Sequence, residues 1–175
     1  MSDVKAALTK AASTPYWRGV SKPEGYSGDG SEITVPLALM KAIAWQESGW
    51  QSTIIACDGG IGTMQVMPGT ASWLNQRFGT SHDVHTLAGN TALGAEYLEW
   101  LIMYFGLYYF GAFDLNTTAS VGAGGAQMRL RDVVIAAYNV GPGALENTDG
   151  TLSIPNQGYV TNVVALMSNC ECLAY

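Results

Sequence analysis

Glu47 is a carboxylate whose neighbours would hold its proton in place. Met40, Ile43 and Ala44 lie seven, four and three residues before it, so all four share one face if residues 36 to 48 are helical. Pro36 suits the first turn of such a helix and Gly49 the left-handed position just past its end. Glu47 then falls in the last turn, pointing where the apolar residues point. Burial there disfavours the charged form, and the negative end of the helix dipole repels it, so both effects raise its pKa. A carboxyl group still protonated near neutral pH can protonate the leaving oxygen of a glycosidic bond. A structural ion pair is the alternative reading of the same residue.

Two further blocks follow. One is Gly62-Thr63-Met64-Gln65-Val66-Met67-Pro68-Gly69-Thr70-Ala71, and the other is Ala136-Ala137-Tyr138-Asn139-Val140-Gly141-Pro142-Gly143. Together with Glu47-Ser48, and in this order, they resemble the catalytic domain of soluble lytic transglycosylases, relatives of goose-type lysozyme. Asn90, Gly94, Tyr97 and Leu98 resemble that family's middle helix, and Pro155 to Val163, with Tyr159, its closing helix. The likeness runs from about residue 34 to 168. It departs at Thr63, where the family usually has Leu, and in the long segment from Leu107 to Gln127.

The resemblance implies an all-α, lysozyme-like fold and cleavage of the β-1,4 bond between N-acetylmuramic acid and N-acetylglucosamine in peptidoglycan, with a 1,6-anhydro product. Glu47 would serve as acid and then as base, which accounts for the lack of an obvious second carboxylate. Ser48, Met64, Gln65, Tyr138, Asn139 and Tyr159 would line the cleft. Each also has a structural reading: Met64 and Tyr159 as core, Ser48 and Asn139 as hydrogen-bonding residues at helix ends. The resemblance also implies glycan strands as partner, no cofactor, an extracellular, wall-bound or periplasmic location, and a monomer. Two other functions compete. A hydrolase could use Asp58 to activate water, although the Asp that goose-type lysozymes carry two residues after their Gln is Met67 here. A non-catalytic glycan binder on the same fold would not need Glu47.

Composition narrows the field. A chain of 175 residues, 48% hydrophobic, suits one domain with one core. The net charge of −6 removes the electrostatic footprint of a nucleic-acid binder. Met1-Ser2-Asp3-Val4-Lys5 has neither the basic start nor the apolar run of a secretory signal. The uncharged stretch Trp100 to Phe113 is too short to span a bilayer and reads as a buried helix running into a loop. Cys57, Cys170 and Cys172 fit no zinc pattern well. A wall-facing location would suit a bridge from Cys57 to one of the other two. His82 and His85 flank Asp83 in a polar loop and read as solvated rather than as metal ligands.

The elements that must position these residues follow from periodicity and breakers. Helices are expected over residues 3–12, 36–48, 68–77, 87–105, about 130–139 and 156–168. Residues 1–33 otherwise form an irregular approach, and 107–127 a mobile insertion rich in glycine that borders the cleft. At most a small hairpin is expected beside the catalytic helix, near Ile54 to Met64. Gly59, Gly60 and Gly62 would let the backbone come close to a ligand.

Overall fold

The computed structural model describes residues 1–121 and 125–169. Among these residues are six α-helices: α1 (Ser2–Ala12), α2 (Leu37–Ser48), α3 (Pro68–Phe78), α4 (Leu87–Phe105), α5 (Leu130–Val140) and α6 (Gln157–Asn169). One short antiparallel pair, β1 (Thr118–Ser120) with β2 (Gln127–Arg129), aligns Ala119 with Met128. The chain is mainly helical, as expected. No described helix is long and apolar enough to cross a membrane.

The helix ends follow from local chemistry. Pro36 caps α2 in an extended conformation, and Gly49 ends it in the left-handed region at φ 58°. Pro68 opens α3 and Gly79 closes it at φ 67°. The Thr86 hydroxyl accepts from the Gly89 N–H at the start of α4, 3.1 Å away, satisfying one of the free amides of the first turn.

Two helices carry the core. α2 packs against α1 and α6, and α4 packs against α1, α3 and α5. Leu39, Met40, Ala42, Ile43 and Ala44 are all fully buried, so α2 is enclosed on several sides and not along one stripe only. A helix apolar on all sides belongs in an interior.

One local expectation is met only in its smallest form, and another is corrected. Residues 54–66 contain only isolated bridges, Ile55 to Ile61 and Ile61 to Val66. Positive φ at Gly59, Gly62 and Gln65 turns the chain too often for a ladder to extend, and the paired strands form instead at 118–129. Gly106, just past the expected helix end at residue 105, is helical at φ −56° and ψ −47°. Its Cβ would sit 2.5 Å from the Phe113 ring and 2.8 Å from the Ala112 carbonyl, so glycine there permits close packing. The helix continues as a π-helical turn, Gly106–Phe110, and stops at Gly111, φ 63°. Of the expected mobile insertion, residues 122–124 lie outside the described residues.

Candidate active site

Glu47 occupies the last turn of α2 and is half-buried. The Tyr159 hydroxyl, from α6, donates a short hydrogen bond to its Oε1. Burial is the largest influence on this carboxyl and raises its pKa. The Tyr159 bond opposes that by favouring the anion, and the negative charge of Asp58 adds to the rise. The net direction is upward, as the helix pattern implied.

The loop after α2 is built on its own polar contacts. Ser48 is buried, and its hydroxyl donates to the Thr63 carbonyl at 2.8 Å, joining the end of α2 to the Gly62–Gln65 turn. Asn90 on α4 holds the other side of that turn. Its Oδ1 accepts from the Met64 N–H at 2.8 Å, and its Nδ2 donates to Ile61 O at 2.8 Å and Val84 O at 3.1 Å. A Cβ on Gly62 would fall 2.9 Å from the Asn90 side chain, at φ 69°. A Cβ on Gly94 would meet Met64 at 2.7 Å. A Cβ on Gly60 would meet Gln65 Oε1 at 2.8 Å. These glycines therefore make room for the protein's own side chains.

Met64 is fully buried and Gln65 half-buried. Gln65 holds φ 48°, unusual for a residue with a side chain, and its Nε2 donates to Gly62 O at 2.7 Å. Thr63 fills a fully buried position, and its hydroxyl has no hydrogen-bond partner among the described residues.

Tyr138, near the end of α5, donates from its hydroxyl to Met64 O at 2.8 Å. Its pKa is raised by burial and by the neighbouring Glu47. Asn139 is exposed, and its Oδ1 accepts from Asn156 Nδ2 at 2.9 Å. Asn156 also donates to Ala136 O at 3.1 Å, tying the end of α5 to the approach of α6, which carries Tyr159. Asn156 carried no signal in sequence, since its partners lie about twenty residues away. The structure thus groups Glu47, Tyr138 and Tyr159, places Gln65 on the turn whose Met64 carbonyl Tyr138 holds, and uses Ser48 and Met64 in the interior that supports them.

Asp58 is exposed, its Oδ1 accepting from the Gly60 N–H at 3.1 Å. Cys57 is exposed as well, and Cys170 and Cys172 lie outside the described residues, so the expected bridge does too. No group of three or more potential metal ligands occurs among the described residues.

Away from Glu47, α4 carries a buried acidic pair that the sequence reading missed. Glu96 is 0% exposed and Glu99 2%. Both sit on α4 toward Tyr16 and Trp17, whose backbone amides reach Glu99. His82, read as solvated, places Nε2 3.3 Å from Glu96 Oε1, while its backbone is held by Asn75. Burial pushes Glu96 up to about 7 and Glu99 up to about 8. Acids whose pKa is higher in the folded than in the unfolded chain stabilise the fold fully below their unfolded pKa. That contribution is lost as pH rises through the folded values. Thermal stability is therefore expected to fall between about pH 5 and pH 8, and the double substitution Glu96→Gln, Glu99→Gln to flatten the curve. Melting scans across that range check it, and an unchanged slope would refute the assignment.

Residues 29–153 match the family described as the transglycosylase SLT domain. The chain is 31% identical over 153 residues to a soluble lytic murein transglycosylase of Escherichia coli K12, covering 75% of the chain and 20% of the relative. It is 30% identical over 158 residues to the corresponding protein of Salmonella typhimurium, over 78% of the chain. The chain thus spans about a fifth of the length of these relatives. Among solved structures, the 70 kDa soluble lytic transglycosylase of Escherichia coli superposes with a TM-score of 0.58 at 25% identity, over 95% of this chain and 23% of that one. An inactive mutant of a lytic transglycosylase from Pseudomonas aeruginosa gives 0.59 at 22% identity, over 93% and 23%, and shares the fold.

Proposed function

Because the chain belongs to the transglycosylase SLT domain family, we propose that it cleaves the β-1,4 bond between N-acetylmuramic acid and N-acetylglucosamine of peptidoglycan, with Glu47 as sole acid and base. The observation that carries this reading is a half-buried carboxyl with a raised pKa and one oxygen engaged by Tyr159, while Oε2 has no hydrogen-bond partner among the described residues.

The protonated carboxyl donates to the glycosidic oxygen, and the bond from that oxygen to C1 of the muramic acid breaks with its electrons going to the leaving sugar. Glu47, now a carboxylate, takes the proton from the same muramic acid's 6-hydroxyl, whose oxygen bonds to C1. No water enters, and one group performs both transfers. The Tyr159 hydroxyl steadies the anion between the two steps. Gln65 and Tyr138 orient the sugar, while Ser48 and Met64 hold the loop that presents Gln65, and Asn139 borders the cleft. On this reading residues 1–175 act as one catalytic domain, monomeric, outside the cytoplasm and facing the wall.

The test is digestion of purified cell walls followed by mass spectrometry of the released muropeptides. Products lighter by one water than hydrolysed fragments, with 1,6-anhydro ends, are expected. Ordinary reducing ends would replace the proposal with the hydrolase reading, and intact walls would replace it with simple binding.

A further inference from the structure

One side chain joins the last turns of α5 to the start of α6. Asn156 directly precedes α6, and its carbonyl accepts from the Tyr159 N–H at 2.9 Å and the Val160 N–H at 3.3 Å, so its backbone belongs to the turn that carries Tyr159. Its Nδ2 reaches back to α5, donating to Ala136 O at 3.1 Å and to Asn139 Oδ1 at 2.9 Å. The connecting residues 146–155 are mostly exposed and give α6 little hold of their own.

The other end of the same amide is left unsatisfied. Asn156 Oδ1 is buried with no hydrogen-bond partner among the described residues. A stranded acceptor opposes stability, so the side chain is oriented by its two donor bonds at a cost that a residue serving stability alone would avoid.

We infer that Asn156 is a positioning residue: its single amide locks the end of α5 to the start of α6 and thereby sets where the Tyr159 hydroxyl meets Glu47. The inference rests on the reading of Glu47 as the acid proposed above. Tyr159 donates to Glu47 Oε1, and a hydrogen bond weakens steeply as its angle and distance depart from the optimum. Through Asn139 the same amide also holds the neighbour of Tyr138, so both tyrosines beside the acid share one anchor. The titratable groups that face Glu47 are Tyr159 from α6, Tyr138 from α5 and Asp58 from the loop after α2. Tyr159 is the one that favours the anion by a hydrogen bond, so releasing the start of α6 should let the Glu47 pKa rise further.

The test is a carbon-13 NMR titration of the Glu47 carboxyl in the full chain, its signal assigned by its absence in Glu47→Gln, with wall digestion at a temperature where every variant is folded. Asn156→Ala is expected to move the Glu47 midpoint upward, as Tyr159→Phe does, and to lower the rate about ten- to hundredfold, the scale of a small misplacement near the reacting group. Added to Tyr159→Phe, it should move the midpoint no further, because the bond it positions is already gone. An unchanged midpoint in Asn156→Ala, even with a lower melting temperature, would leave Asn156 a purely structural residue and overturn the inference alone. An equal further shift in the Tyr159→Phe background would do the same. Intact walls with the parent chain would overturn the reading of Glu47 and this inference with it.

Discussion

Glu47→Gln is expected to lower the rate of glycan release by about 10²–10⁴-fold, the range that a positioned acid-base group supplies, while leaving the fold and glycan binding in place. The amide is nearly the shape of the acid. It can still accept from the Tyr159 hydroxyl, so the contact between α2 and α6 survives. It has no acidic proton to give the glycosidic oxygen and no basic oxygen to take one back. Asp58→Asn provides the contrast. Its carboxylate adds only the third-ranked influence on Glu47, behind burial and Tyr159, so losing it should lower the Glu47 pKa slightly and change the rate little. Turbidity loss of purified walls, with melting curves for both variants, measures this. An Asp58→Asn variant as inactive as Glu47→Gln would mean that two carboxylates share the chemistry.

The second large effect is expected at Asn90, which touches no substrate in this scheme. Asn90→Ala removes the acceptor for the Met64 N–H and the donor to Ile61 O and Val84 O. Ile61 O keeps the Val66 N–H at 3.0 Å, whereas the Met64 amide is left buried with no replacement. A stranded buried amide costs about 1–3 kcal/mol, and with the small cavity left behind the loss should reach about 2–4 kcal/mol. Activity should fall more steeply than stability alone accounts for, since the turn that Asn90 holds also presents Gln65. Urea unfolding and wall digestion at a temperature where the variant is fully folded separate the two effects. A midpoint within error of the parent would show that the turn holds without Asn90.

The helices were legible because their signals are local. Periodic apolar residues, Pro at 36 and 68, and Gly at 49 and 79 lie within a few residues of what they control. The raised pKa of Glu47 was legible for the same reason, since the residues that bury one side of it share its helix. The helical path runs past the expected end at residue 105 because a glycine inside an apolar run signals a break only when nothing packs over it, and the residues that do so at Gly106, Ala112 and Phe113, fold back from further along the chain. The hairpin near 54–64 stays at isolated bridges because strand pairing depends on which turns can close, and the 54–66 loop gives its backbone groups to Asn90 and Ser48 instead.

By itself, then, the sequence determined the helical class, the helix bounds and the family, and it marked Glu47 as the candidate acid, all through short-range patterns. Tertiary structure alone decided what surrounds that acid. Tyr159 arrives from 112 residues away, Tyr138 from 74 residues beyond the Met64 carbonyl it holds, and Asn90 from 26 beyond the amide it satisfies. It also decided that Glu96 and Glu99 are buried and that the half-exposed His82 faces Glu96. Charged residues on a helix read as surface until a neighbouring helix covers them, and here α1 and the segment through Tyr16 and Trp17 do so. Periodicity reports which residues share a face, but burial depends on what packs against that face, and that partner is chosen by the whole chain.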